Sequence, residues 1–212
     1  SKLVEVEDLY RPFKEKKKTK ATEAIKLGLE PLAKEIFREN PDILIVAKKY
    51  LKEGVESIEF ALEQESYIVA ENISDNANFR KYIRNNMGKF GILKSVKKKK
   101  CEDSAKTYEM YYDYNEPIKY IKSHRILAIN RGEKEGILSV SIEVDDSKQR
   151  DYLKSKLIHK NNEASKYLEL SIKDALKRLI LPSVEREIRA YLTDSASDSA
   201  IKIFSDNLYN LL

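Results

Sequence analysis

Cysteine and histidine are scarce in this chain of 212 residues, and their scarcity limits the chemistry that the chain could perform. The single cysteine, Cys101, excludes an internal disulfide, so a reducing compartment such as the cytoplasm is the expected location. The two histidines, His124 and His159, lie far apart in the sequence. No metal site built from cysteine and histidine follows from this spacing, and we expect no cofactor.

Glycine and proline are also rare, with six and five residues respectively, which disfavours a turn-rich sandwich or barrel. A composition of 42% hydrophobic and 35% charged residues suits helices that bury one face. No apolar run reaches the length of about 20 residues that a bilayer span requires. The first residues also lack the layout of a signal peptide. The sequence therefore predicts a mainly α fold and no membrane partner.

Catalytic motifs are missing as well. The chain has no glycine-rich phosphate loop, no metalloprotease helix and no serine nucleophile elbow. Adjacent acids such as Asp145 and Asp146 are ordinary in a chain this charged. His124 lies in a helical pattern, but no nucleophile can be assigned to it. We expect that the protein is not an enzyme.

Positive charge is only slightly in excess, with 40 lysines and arginines against 35 acids and a net charge of +5. Because these charges are mostly interspersed, only local clusters argue for nucleic acid. The first basic cluster comprises Arg11, Lys14, Lys16, Lys17, Lys18 and Lys20. The second basic cluster comprises Lys94, Lys97, Lys98, Lys99 and Lys100. Phosphate groups of RNA or DNA are the expected partners, although solvated surface loops would have the same composition.

Four tyrosines follow the second basic cluster, at positions 108, 111, 112 and 114. Aromatic residues interleaved with lysines can form a stacking platform for single-stranded bases. The spacing of Tyr108, Tyr111 and Tyr112 is also that of one helical face packed on a core, with the hydroxyls at its edge. The spacing favours the core interpretation.

Hydrophobic periodicity predicts a series of helices along the chain. Thr19 or Thr22 would cap the first of them, Gly28 would interrupt it, and Pro31 would lie in the first turn of the next. The segment 137–144, ILSVSIEV, alternates as a strand does. Such a strand needs a partner, which could be the segment near residues 92–97 or a domain outside this chain; otherwise the segment is helical.

The last part of the chain predicts one long helix. Pro182 should kink or restart the preceding helix, and from Ser183 to Leu212 apolar residues recur every three or four positions. About 30 helical residues span about 45 Å, which exceeds one compact core. We therefore predict an elongated multi-helix scaffold with a minor β element at most, with sub-lobes at residues 1–110 and 111–212.

Three segments resemble the Tex family of bacterial transcription accessory proteins. They are EDLYRPFKEKKKTKATEAIKLGLEPLA at Glu7–Ala33, YDYNEPIKYIKSHRILAINRGEKEGILSVSI at Tyr112–Ile142, and LPSVEREIRAYLTDSASDSAIKIFSDNLYNLL at Leu181–Leu212. They occur in the family's order, and the resemblance covers essentially the whole chain. It corresponds to the N-terminal and central helical region of the family.

The resemblance implies a cytoplasmic, non-catalytic, nucleic-acid-binding protein of the transcription apparatus. Family members continue into RNase H-like, helix-hairpin-helix and S1 domains, which this sequence lacks, and their principal RNA contacts are expected in the S1 domain. The chain would then be a helical scaffold that makes auxiliary, sequence-independent contacts to RNA or DNA through the two basic clusters. The alternative is a protein interaction module that docks neighbouring domains or transcription partners.

Overall fold

The structure is a computed structural model that describes residues 2–14 and 18–209. The helices in these residues are α1 Lys2–Tyr10, α2 Lys20–Lys26, α3 Glu30–Phe37, α4 Ile43–Lys48, α5 Ile58–Asp75, α6 Ala77–Phe90, α7 Ser123–Lys134, α8 Ser147–Leu157, α9 Glu163–Asp174 and α10 Leu181–Tyr209. The strands are β1 Ile92–Lys97, β2 Asp113–Pro117 and β3 Leu138–Glu143. The predicted mainly α fold with a minor β element is confirmed. Each described helix is too short or too polar to cross a bilayer.

The ends of α2 and α3 follow from local sequence signals. The Thr19 hydroxyl accepts the N–H of Thr22 at 3.1 Å, and the Thr22 hydroxyl accepts the N–H of Thr19 at 2.8 Å, which satisfies two helix N–H groups. Gly28 follows the end of α2 with φ +76, a conformation that glycine adopts without strain. Pro31 lies in the first turn of α3. The predicted cap, interruption and helix start are confirmed.

The chain divides into two compact units, and each is built from segments that are distant in sequence. Unit 1 comprises residues 1–83 and 146–182, and unit 2 comprises residues 84–145 and 183–212. This division differs from the predicted boundary at residue 110. The reason is that long-range pairings close both units: α5 packs on α9 in unit 1, and β1 pairs with β3 in unit 2. Local periodicity carries no information about such pairings.

In unit 1, α5 is the central helix and packs against α2, α3 and α9. The side chains that fill this core include Leu32, Ile36, Leu62 and Ile73, each at most 2% exposed. Burial of one such side chain stabilises the fold by about 1.5–3 kcal/mol relative to its exposure. Apolar packing is therefore the main source of stability for unit 1.

One buried carboxylate joins two turns of unit 1. Glu39 follows α3 with φ +50 and is 2% exposed. Its oxygens accept the N–H groups of His159 and Lys160, each at 2.9 Å, and the hydroxyl of Ser165 at 2.7 Å. Burial alone would raise the pKa of Glu39, but these hydrogen bonds hold it below its usual range. Glu39 thus ties the α3–α4 turn to the start of α9.

The Glu39→Gln variant should lose about 1.5–3 kcal/mol of stability at neutral pH, because its NH₂ group would face donors. Since the folded pKa is depressed, the stabilisation is present at neutral pH and is lost as pH falls through that pKa. The two proteins should therefore converge in acid, as urea unfolding across pH would measure. Glu30→Gln, which alters an exposed ion pair with Lys34, is the control. Equal effects of the two substitutions would contradict the assignment.

Unit 2 contains an antiparallel three-stranded sheet with the order β2–β1–β3. The predicted strand at 137–144 is confirmed, and its partner is the segment 92–97 that we considered. Leu93, Leu138 and Ile142 are buried on one face of the sheet. The register places the following residues on the other, more exposed face, which we call the open face: Ile92, Lys94, Val96, Asp113, Asn115, Pro117, Ser139, Ser141 and Glu143.

The tyrosines do not form one helical face. Tyr108 and Tyr111 are buried, as the core interpretation requires, but Tyr108 precedes and Tyr111 ends a 3₁₀ turn at Glu109–Tyr111 that comes shortly before β2. The Asp103 carboxylate accepts the N–H groups of Thr107 and Tyr108, each at 3.0 Å. Such local bonds from a side chain to the backbone compete with helix formation. The prediction of a helix here is wrong for this reason.

The long C-terminal helix is confirmed as α10, but the predicted break at Pro182 does not occur. A π-helical segment at Ala175–Ile180 joins α9 to α10 without interruption of the helix. The Leu181 N–H donates to the carbonyl of Leu176, five residues earlier. The backbone therefore leaves the α-helical bonding pattern just before Pro182, where a missing N–H would otherwise break it.

Candidate nucleic-acid interface

Two cations of the first basic cluster already have protein partners. Arg11 Nε lies 3.2 Å from Asp75 Oδ1. Lys20 Nζ lies 3.3 Å from the Tyr67 hydroxyl and 4.5 Å from the centre of that ring. Lys14 and Lys18 are exposed, whereas Lys16 and Lys17 lie outside the described residues.

An open pocket of about 420 Å³ lies beside the first basic cluster. Its lining consists of Pro12, Lys14, Thr22, Ile25, Glu71, Asn72, Asp75 and Asn76. Because two carboxylates line it, the pocket does not offer the uniformly positive field that a phosphate favours. The charges around the first basic cluster therefore support phosphate binding less strongly than its sequence suggested.

The second basic cluster extends from the sheet into the following loop. Lys94 lies on the open face, with its Nζ 3.3 Å from Glu143 Oε1. Lys97 holds its Nζ 4.5 Å from the centre of the Tyr112 ring. Lys98, Lys99 and Lys100 are exposed, and no described residue forms a hydrogen bond or ion pair with their side chains. These three ammonium groups are available to a ligand.

Several hydrogen bonds fix the loop that carries these lysines. The Lys98 N–H donates to the Ile137 carbonyl at 2.9 Å, and the Cys101 thiol donates to the Lys98 carbonyl at 3.0 Å. Asp103 accepts the Tyr112 hydroxyl at 2.8 Å. Burial and this bond raise the pKa of Tyr112 to about 12, so its hydroxyl remains protonated. The loop therefore presents its lysines from a defined backbone.

Sequence reasoning missed a second group of basic and aromatic residues at the opposite end of the sheet. Phe90 and Tyr120 are 49% and 64% exposed. Lys89 Nζ lies 5.2 Å from the Phe90 ring centre, and Lys119 Nζ lies 5.5 Å from the Tyr120 ring centre. The signal in the sequence was a lysine followed directly by an aromatic residue at two places, but nothing local related the two places.

Residues 2–14 and 18–209 hold no group of three or more His, Cys, Asp or Glu placed to bind a metal.

Comparison with known proteins identifies the chain's relatives. A family model described as Tex central region-like matches residues 39–204. The uncharacterized protein YdcI of Bacillus subtilis is 46% identical over 217 residues, covering 100% of this chain and 30% of YdcI. The transcriptional accessory protein Tex of Neisseria gonorrhoeae is 30% identical, with coverage of 98% and 28%. The human S1 RNA-binding domain-containing protein 1 is 29% identical, with coverage of 98% and 22%.

The chain thus spans less than a third of the length of these relatives. Identity to YdcI extends over the whole chain, and the family model covers most of it, including all three strands and the greater part of α10. The chain therefore belongs to the Tex family and corresponds to its central region.

Proposed function

We propose that this chain is the non-catalytic helical scaffold of a cytoplasmic, nucleic-acid-binding transcription accessory protein, and that it makes auxiliary contacts to phosphate through its basic clusters. Its relatives carry the names transcriptional accessory protein and S1 RNA-binding domain-containing protein, which supports a role with nucleic acid. The observation that carries the phosphate contacts is the exposed run Lys98–Lys100, whose ammonium groups have no partner among the described residues.

Electrostatics favours the second basic cluster over the first. Lys98, Lys99 and Lys100 stand on a loop with a fixed backbone, so little backbone entropy is lost when they meet a ligand. In the first cluster, Arg11 is paired and acids line the neighbouring pocket. Lysine is a compact cation without planar geometry, and a lysine run therefore recognises phosphate rather than a base sequence. The expected binding is weak, independent of sequence and strongly salt-dependent.

Substitution of Lys98, Lys99 and Lys100 by glutamine should reduce the salt dependence of RNA and DNA binding. Each phosphate contact contributes about 0.7–0.9 to the slope of log affinity against log salt, so the slope should fall by about 2–3. Fluorescence anisotropy with labelled oligonucleotides at several salt concentrations would measure it. The control variant replaces the exposed Lys48, Lys49 and Lys173 and has the same net charge. Equal slopes for the two triple variants would refute the contact.

One observation favours a second candidate function, a protein interaction module. The helix α10 leaves Tyr191, Ile201 and Ile203 exposed by 65%, 67% and 59%. An exposed helix that carries such side chains can dock into the groove of a partner. If the wild-type chain binds neither RNA nor DNA at low salt in the experiment above, this second function becomes the better proposal.

A further inference from the structure

We propose that the open face of the sheet is the path of a single-stranded nucleic acid, with Phe90 and Tyr120 stacking on bases at one end and Lys98, Lys99 and Lys100 binding phosphates at the other. This inference rests on the proposed nucleic-acid binding and adds the type of strand and its route.

The sheet register brings Phe90 and Tyr120 to the same end of β1. Ile92, the first residue of β1, pairs with Pro117, the last residue of β2. The Ile118 N–H donates to the Gly91 carbonyl at 3.0 Å, and the Tyr120 N–H donates to the Pro117 carbonyl at 2.9 Å. These bonds place the segment at 90–91 beside the segment at 118–120. The two Lys-aromatic pairs therefore lie at the same end of the sheet, although 30 positions separate them in sequence.

The chemistry of this end suits unpaired bases. Phe90 and Tyr120 expose about half or more of their surface, and Ile92 beside them is 42% exposed. A base stacks on any such ring without regard to its sequence. Lys89 and Lys119, each over a ring, could turn to the adjoining phosphates, since cation–ring contacts at exposed sites are weak.

The surface between the two ends is polar and carries one lysine against two acids, so a strand would cross it without phosphate contacts there. Asn115, Ser139 and Ser141 offer small polar side chains, and Lys94 lies in the middle of the face. Two acids also lie there, Asp113 and Glu143, and Glu143 is paired with Lys94. At about 3.3 Å per residue, β1 extends about 17 Å from Ile92 to Lys97, which leaves room for several nucleotides.

The two ends would perform different tasks. Near the second basic cluster, Tyr108 and Tyr111 are buried, and Lys97 covers a face of Tyr112. The end of the sheet near the second basic cluster therefore presents cations but no exposed aromatic ring. The other end offers exposed rings. Because the faces of paired bases are hidden in a duplex, the rings should distinguish single strands from duplexes, whereas the lysines should not.

The test uses Tyr120→Ala and Phe90→Ala in the full chain, with a labelled oligouridylate and a labelled RNA duplex as probes. Loss of one stacked base should weaken oligouridylate binding at least about fivefold, while duplex binding should change less than twofold. Tyr120→Phe retains the ring and should bind as the wild type does. Tyr191→Ala removes another exposed tyrosine of unit 2 and is the matched control.

The possible outcomes separate this inference from the proposed function. If Tyr120→Ala and Phe90→Ala bind oligouridylate like Tyr191→Ala while the Lys98–Lys100 variant is weakened, the path is wrong and the phosphate contacts stand. Equal losses on oligouridylate and duplex would also overturn the stacking role. If the wild type binds neither probe, both proposals fail.

Discussion

Replacing Glu65 with leucine should raise the free energy of unfolding at neutral pH by on the order of 2–4 kcal/mol. Glu65 lies on α5 in the core of unit 1 and is 0% exposed. Neither of its carboxylate oxygens has a hydrogen-bond partner among the described residues. Burial raises the pKa of Glu65 to about 8. A buried acid without partners costs stability whether it is ionised or neutral, and leucine removes that cost.

The pH dependence gives this prediction a second readout. Because burial raises the folded pKa from 4.5 to about 8, the native state holds a proton that the unfolded state releases across this interval. The stability contributed by the proton is complete below about pH 4.5, declines as pH rises, and is lost above about pH 8. Urea unfolding from pH 5 to 9 should show this decline in the wild type and a much smaller one in the Leu variant.

Two further variants keep the Glu65 prediction testable. Glu65→Gln preserves the side-chain volume and removes the ionisation, so it should also flatten the pH profile. Glu59→Gln changes an exposed acid on the same helix and should leave the profile unaltered. A wild-type stability that is independent of pH over this interval, or a destabilised Gln variant at pH 8, would contradict the description of Glu65.

The Asp8→Ala variant should lose about 3–5 kcal/mol, since it removes the carboxylate from a buried ion pair. Asp8 on α1 and Arg80 on α6 are 4% and 0% exposed, and Arg80 Nε lies 2.6 Å from Asp8 Oδ1. The same two helices carry an exposed pair, Glu5 and Lys81, at 3.0 Å. Because exposed pairs contribute about 0–1 kcal/mol, Glu5→Ala is a matched control.

Urea unfolding of the two alanine variants would measure the difference. If Asp8→Ala does not fold, the double variant Asp8→Ala/Arg80→Met supplies the test, because removal of both charges should restore part of the lost stability. Similar losses for Asp8→Ala and Glu5→Ala would show that burial of the pair contributes little.

The sequence predicted those features of the fold that depend on neighbouring residues. Thr19, Gly28 and Pro31 act within one helical turn, and the structure confirms the roles predicted for them. Strand β2 was missed, because its hydrogen bonds come from β1, about 20 positions earlier. The unbroken helix at Pro182 depends on a change of hydrogen-bond pattern in the preceding turn, and composition does not reveal such a change.

The candidate interface also has features that the local sequence predicts and features that depend on distant residues. The sequence shows both basic clusters as runs of lysine. It does not show which of these side chains can contact a ligand. Arg11 is paired with a residue 64 positions away, whereas Lys98 has no side-chain partner among the described residues. Phe90 and Tyr120 come to the same end of the sheet only through the register of β1 and β2. A pattern in sequence shows which side chains exist, and pairing across the chain determines which of them a ligand can reach.

The segments of the two units alternate along the chain, and this alternation determines the order in which the units can fold during synthesis. Unit 1 combines residues 1–83 with residues 146–182, so during synthesis α5 must wait for its partner α9, which is made later. The three strands of unit 2 lie within residues 92–143 and can pair before that. The first segment of unit 1 is therefore made before the sheet of unit 2 but completes its core after that sheet can form. Until α9 is made, the apolar side chains of α5 and the carboxyl group of Glu65 remain in water, where chaperones can bind the apolar surface.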